Sequence, residues 1–186
     1  GDAEGQCHLG LMYYVGEGVE LDFEKAFEWS SEAAEQNHAK AQFSLGVMYA
    51  NGQGVELDFE EGLKWIHKSA QQGFADALAG LGQMYRDGQG IDPNPTESVK
   101  WYRKAAEQNH ATAQYNLGYA YRKGQGVEQN SVQAVIWYRK AAEQGHIDAQ
   151  SDLGVMYAEG NGVKLDFRES VKWYRSAALQ GDAYGQ

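Results

Sequence analysis

The chain has 186 residues, with 26 Asp+Glu against 16 Lys+Arg and a formal net charge of −10. This balance argues against general nucleic-acid binding, which needs a basic surface to release counterions from phosphates, and it disfavours anionic membrane for the same reason. Cys7 is the single cysteine, so an intrachain disulfide, a CxxC redox pair and a Cys-based zinc site are excluded, and no apolar run approaches the ~18 residues that span a bilayer.

From its first residues the chain repeats itself. It begins Gly-Asp-Ala-Glu-Gly-Gln and reaches Gly-Asp-Ala-Tyr-Gly-Gln 180 residues later. Leu-Gly recurs every 36 residues, at Leu9, Leu45, Leu81, Leu117 and Leu153, and Gly-x-Gly keeps the same step from Gly16/Gly18 to Gly160/Gly162. So strict a period marks a repeat array. The units are 1–36, 37–72, 73–108, 109–144 and 145–180, and 181–186 opens a further one. Contacts in such an array run between neighbours only, so 1–186 reads as one solenoid domain. The matching ends, with no initiating Met or apolar signal core, suggest a segment of a longer array. The native N-terminus, any signal peptide and the capping repeats are then expected outside it, and the segment itself is expected to be soluble, in an unknown compartment. Acid is uneven: residues 1–72 carry 13 Asp+Glu against 4 Lys+Arg, and 73–186 carry 13 against 12.

Within 37–72, Ala41, Leu45, Met48 and Tyr49 have helical spacing and predict a first helix from Ala39 to about Asn51. Gly46 lies on its packed side, where glycine recurs in every unit; a helical glycine costs about 1 kcal/mol relative to alanine, so a close neighbouring backbone is expected to offset it. The chain turns through Gly52 and Gly54, and Val55 anchors the loop. Asp58 then takes an N-cap position, as do Asp22, Asn94, Asn130 and Asp166. Glu61, Glu97, Gln133 and Glu169 stand three residues on as the reciprocal half of a capping box, with Lys25 the exception. Second helices therefore begin near 23, 59, 95, 131 and 167, with Pro95 at a first helical position. Each carries a tryptophan (Trp29, Trp65, Trp101, Trp137, Trp173) between small residues and is expected to stop at Asn37, Gly73, Asn109, Gly145 or Gly181, residue types that tolerate the left-handed C-cap. Helical hairpins of this kind stack, so the predicted fold is all-α, a right-handed α-α superhelix of about five 36-residue helix-turn-helix repeats.

The pattern Ala-x-Ala-Gln-x-x-Leu-Gly-x-x-Tyr, then Gly-x-Gly-Val, Trp and Ala-Ala, resembles Sel1-like repeats, relatives of the tetratricopeptide repeat. Residues 111–146 show it at Ala111, Ala113, Gln114, Leu117, Gly118, Tyr121, Gly124, Gly126, Val127, Trp137, Ala141, Ala142 and Gly145. The resemblance covers the whole chain. It implies an adaptor or scaffold that binds proteins, or in some members bacterial envelope components, on a concave surface. Some bacterial members carry a cysteine pair in each repeat, which is absent here.

Several motifs invite chemistry and fail to support it. The Gly-x-Gly-Val loops do not follow a strand or open onto a third glycine, as a dinucleotide fingerprint would. His38, His110 and His146 share one turn position, but stacked helices about 8–10 Å apart cannot bring equivalent residues onto one metal ion; they read as turn residues with local hydrogen bonds. No HExxH, SxxK, GxSxG or GxxxxGK[ST] occurs. The expectation is no enzyme, no cofactor and no metal. Recurring Tyr13, Tyr49, Tyr85, Tyr121 and Tyr157 read as packing, and Glu60, Lys64, Lys68, Lys100 and Lys104 as a solvated outer face.

Contact with a partner is sought where the units differ. On the first helices that is a stripe containing Phe43, Ser44, Val47, Ala50 and Asn51, then Gly80, Gln83, Arg86 and Asp87, then Tyr115, Asn116, Tyr119, Arg122 and Lys123. By analogy with related helical repeats it lines the concave side. Phe43, Tyr115 and Tyr119 are large rings for positions expected to be exposed, and aromatic residues with arginine are typical interface anchors. The leading reading is a protein–protein interaction scaffold that takes a protein or peptide on this surface, without nucleic acid or membrane insertion. The alternative is recognition of a small envelope ligand such as a glycan or peptidoglycan fragment, with a hydrolase third. Uncapped repeat ends add a route to self-association.

Overall fold

The computed structural model describes residues 1–184, with side chains through Gln180. Among the described residues there are ten helices and no strand: α1 (Ala3–Val15), α2 (Phe23–Glu35), α3 (Ala39–Asn51), α4 (Phe59–Gln71), α5 (Ala75–Asp87), α6 (Pro95–Glu107), α7 (Ala111–Lys123), α8 (Ser131–Glu143), α9 (Ile147–Glu159) and α10 (Phe167–Tyr184). They fall into two compact units, Gly1–Pro93 and Asn94–Gln186. In the first, hairpins α1/α2 and α3/α4 pack in succession and α5 lies on α4; in the second, α6 leads into hairpins α7/α8 and α9/α10.

Backbone chemistry at the helix ends fixes the repeat. Gly52 ends α3 in the left-handed region (φ 65°) and Gly54 holds a second left-handed turn (φ 71°). A Cβ on Gly54 would collide with the carbonyl of Phe23 at the start of α2, so this loop lies against the preceding second helix. The Asp58 carboxylate then accepts the Glu61 backbone N–H at 2.9 Å, as Asn94 and Asn130 accept those of Glu97 (3.1 Å) and Gln133 (3.0 Å).

The reciprocal half of the capping box is not made. The Asp58 backbone N–H donates instead to the Tyr49 carbonyl (2.9 Å), and the same bond joins Asp22 to Tyr13, Asn130 to Tyr121 and Asp166 to Tyr157. With that donor already satisfied, Glu61, Glu97 and Glu169 turn outward and pair with Lys64, Lys100 and Lys172. The recurring tyrosine thus pins the next helix through its own backbone, while its ring packs; Tyr121 and Tyr157 are buried.

First helices are capped by the turn histidines: Nδ1 of His38, His110 and His146 accepts the N–H of Ala41, Ala113 and Ala149 at 3.2, 3.1 and 3.3 Å. Phe74 stands at this position before α5 and makes no side-chain cap. Second helices leave through left-handed Asn37, Gly73, Asn109 and Gly145, as expected. Gly181 departs from the expectation, because α10 runs on through Tyr184.

Each unit has its own core of small and aliphatic side chains. Leu45, Leu81, Leu117 and Leu153 recur fully buried with Met48, Met84 and Met156. Threaded through each core is a polar ladder. Gln42 donates to the Ala34 carbonyl (3.2 Å) and accepts from Gln72 (2.7 Å); Gln114 does the same with Ala106 (3.1 Å) and Gln144 (2.7 Å), and Gln150 with Ala142 (3.0 Å) and Gln180 (3.0 Å). Buried amides are tolerated because both ends are bonded. Outside, Lys68, Lys104 and Lys140 do more than face solvent, lying 3.7, 4.2 and 4.3 Å over the rings of Trp65, Trp101 and Trp137.

Candidate protein-interaction face

In the unit Gly1–Pro93, residues of the predicted stripe come together. Phe43, Val47 and Asn51 of α3 and Gln83 of α5 line one cavity of about 250 Å³ with Ala50, Ile66, Gly80, Met84 and Gln89. A second cavity of about 180 Å³ adjoins it, lined by Leu11, Tyr14, Phe43, Ser44 and Val47. Phe43 and Val47 form the ridge between the two. Phe43 is held by Phe74, ring centroids 5.7 Å apart, and is half-buried rather than exposed. The Tyr14 hydroxyl donates to Gln53 at 2.9 Å and so braces the loop beside the groove.

Arg86 and Asp87 do not join this lining. They pair with each other, Nε to Oδ1 at 2.7 Å and Nη2 to Oδ2 at 3.1 Å, on the exposed end of α5. The Arg86 hydrogen bond holds the Asp87 carboxyl below the usual carboxylate range. Arg86 is therefore engaged by its neighbour instead of standing clear as an anchor.

In the unit Asn94–Gln186 the stripe is built differently. Tyr115 is half-buried, not exposed: its ring stacks on His146 (centroids 4.6 Å, 21° between planes) and lies 5.6 Å from the ring of Tyr138. Burial, helped by the Asp152 charge, pushes its phenol up to about 12. Arg122 Nη1 pairs with Asp152 Oδ1 at 2.8 Å, each side chain 23% exposed. The Tyr138 hydroxyl is fully buried and makes no hydrogen bond of ordinary geometry. Arg122 is the cation that faces it, and burial first, then Asp152, pushes that hydroxyl's pKa up. Tyr119 is half-buried too, with the Lys123 ammonium 5.9 Å from its ring. Asn116 is half-buried on α7 and Lys123 exposed.

Sequence reasoning missed Leu11, Tyr14, Ile66, Met84 and Gln89 as groove walls and His146, Tyr138 and Asp152 as partners of the stripe. Asp152 had a signal, since His8, Ser44, Gly80 and Asn116 occupy its position elsewhere. Ile66 and Met84 had none, because wall and core residues share one composition. Among the described residues no group of three or more His, Cys, Asp or Glu is placed to hold a metal ion, and no helix is long and apolar enough to cross a membrane.

Helices alone, in 36-residue units joined by left-handed glycine loops, define the all-α repeat solenoid class. The Sel1 repeat model matches residues 3–38, 39–74, 75–110, 111–146 and 147–182, and the chain belongs to the Sel1 repeat family. Repeats of this class generally act as protein–protein interaction scaffolds and are typically non-catalytic. A solved Sel1 repeat protein from Oxalobacter formigenes is 37% identical with a TM-score of 0.92, over 97% of this chain and 74% of its own. A protective antigen of uropathogenic Escherichia coli strains, described as having an SLR fold, is 38% identical with a TM-score of 0.90 over 96% of this chain. This chain spans only 38% of that antigen's length. Cysteine-rich protein B of Helicobacter pylori is 27% identical with a TM-score of 0.56, over 72% of this chain and 96% of its own. No curated protein sequence matches the chain.

Proposed function

We propose that this chain is a non-catalytic scaffold that holds a segment of a protein or peptide partner along its first helices, with the groove of the unit Gly1–Pro93 as the principal seat. The observation that carries this reading is the pair of adjoining cavities on α1, α3 and α5, which share the Phe43–Val47 ridge. Cavities of about 250 and 180 Å³ fall below the roughly 300–1,000 Å³ typical of small-molecule sites. Each has room for one side chain, which favours a peptide over a glycan fragment or a metabolite.

In the unit Asn94–Gln186, Tyr119 stands on α7 with Asn116 and Lys123, and an aromatic ring beside polar groups suits an interface rim. A random-peptide display selection on the wild-type chain, followed by rebinding to Val47→Asp, tests the reading. Peptides enriched on the wild type should lose binding to Val47→Asp while both proteins keep the same helical circular dichroism. Equal binding to the two proteins would place the seat elsewhere.

A further inference from the structure

Gly80 is a helical glycine that no neighbouring backbone crowds. Its backbone is not left-handed, and a Cβ there would meet only side-chain carbons, Phe43 Cε2 at 3.2 Å and Ile66 Cγ2 at 3.7 Å. Gly46 is different: a Cβ on it would lie 2.8 Å from the Gly62 carbonyl oxygen and 3.0 Å from the Ile66 nitrogen, so backbone itself forbids it. The other units place His8, Ser44, Asn116 and Asp152 where Gly80 stands. Glycine at mid-helix is costly relative to alanine, and here its effect is to leave open the larger cavity, which Gly80 lines.

The nine residues of that cavity and the five of its neighbour carry no charge. Their polar atoms are amides and hydroxyls, from Asn51, Gln83, Gln89, Ser44 and Tyr14, groups that can both donate to and accept from a peptide backbone. The surrounding unit is strongly acidic: residues 1–93 hold 16 Asp+Glu against 5 Lys+Arg, a net −11. Most of the few cations are engaged, with Lys25, Lys64 and Arg86 paired to Asp22, Glu61 and Asp87 and Lys68 over Trp65. The two cavities succeed one another from α1/α3 to α3/α5. Packed helices lie about 8–10 Å apart, and a chain extended as polyproline II makes one turn every three residues at about 3.1 Å each, so side chains three positions apart in such a partner share one face and match that step.

We propose that the partner of this groove is an extended, basic peptide segment with two apolar anchor side chains three positions apart, one of them seated in the cavity that Gly80 opens and the flanking Lys/Arg residues drawn by the acidic field of the unit. This rests on the scaffold reading above and adds the class of partner.

The test uses three fluorescently labelled synthetic peptides and anisotropy titration against the 186-residue chain at low and high salt. They are Lys-Arg-Leu-Ser-Gly-Phe-Lys-Arg, the same sequence with Glu at the four flanking positions, and the basic sequence with alanine at both anchors. The basic anchored peptide should bind, weaken as salt rises, and exceed each of the other two by at least about tenfold, a difference of ~1.4 kcal/mol. On Gly80→Met, which fills the cavity, its affinity should fall by a similar factor. On Gly80→Ala the melting temperature should hold or rise while affinity falls, an outcome a purely structural glycine would not give.

Equal binding of the acidic peptide would overturn the charge class and leave the scaffold reading standing. Binding indifferent to Gly80→Met would overturn the seat. Failure of all three peptides, with display selection still enriching others that Val47→Asp rejects, would overturn this partner class alone; failure of both experiments would overturn the scaffold reading as well.

Discussion

The two compact units solve one packing problem with different side chains. Each must seat a second helix against the glycine that follows the buried leucine of the first. In Gly1–Pro93 the second helices bring Ser30 and Ile66 to that glycine, and backbone meets backbone, with the Ala26 carbonyl oxygen 3.2 Å from a Cβ placed on Gly10 and that of Gly62 2.8 Å from one on Gly46. In Asn94–Gln186 the same step of the repeat carries Tyr138 and Tyr174, whose rings cover Gly118 and Gly154 instead. The expected close backbone approach therefore holds in the first unit and gives way to a ring in the second. Charge divides the same way, a net −11 over residues 1–93 (16 Asp+Glu, 5 Lys+Arg) against +1 over 94–186 (10 Asp+Glu, 11 Lys+Arg). A side chain smaller than tyrosine at that step leaves room along the first-helix face, lined in the first unit by Phe43, Val47 and Gly80. A tyrosine there fills that room and draws Tyr115, Arg122 and Asp152 into one network. Repeat identity sets the frame, and a few positions decide whether the frame carries a groove.

The strongest contrast should come from the tyrosines themselves. Tyr138→Ala removes a fully buried ring and should cost about 3–5 kcal/mol, whereas Tyr174→Ala, at a position 41% exposed, should cost less than half as much by urea denaturation. Equal losses would mean that burial of the ring is not what stabilises the second unit. Next, Gly46→Ala forces a Cβ against the Gly62 carbonyl and should destabilise by about 1–3 kcal/mol. Gly80→Ala should be neutral or raise stability by up to about 1 kcal/mol. Thermal melts of the two variants would separate a glycine the backbone demands from one it does not.

A double-mutant cycle with Arg122→Ala and Asp152→Ala should show a coupling of about 1–2 kcal/mol, because the pair is largely buried and in direct contact. A coupling near zero would reduce the network to an ordinary surface pair. The smallest effect concerns acid. Burial lowers the His146 pKa below its ordinary value, and its Nδ1 must stay unprotonated to accept the Ala149 N–H. The unfolded chain then takes up the proton first, so this contribution is complete above about pH 6.5 and is lost progressively as pH falls through the lower folded value. His146→Asn, which caps without titrating, should flatten that part of the stability profile between pH 7.5 and 5, and an unchanged slope would assign it to other groups.

Much of this molecule is legible in its letters. The 36-residue step, the helix starts at Asp58 and Asn130 and the exits at Asn37 and Gly73 follow from local backbone rules: a carboxylate or amide that caps, and a residue that tolerates positive φ. The capping box failed because its second half depends on a donor that a distant residue, Tyr49, had already claimed. Exposure of the stripe was misjudged for a related reason: the period tells which positions recur, but the depth of Phe43 or Tyr115 depends on Phe74 and His146, brought alongside by packing.

Gly80 shows where the two kinds of information part. Read along the chain it was one varying letter of a helical stripe, indistinguishable from a weak point in α5. Its meaning lies in what stands opposite, Phe43 and Ile66 from two other helices, whose side-chain carbons wall a cavity where no backbone approaches. Helix, turn and repeat are properties of short segments, and composition and spacing suffice for them. A groove is empty space bounded by several segments at once, and only their packing decides whether it exists.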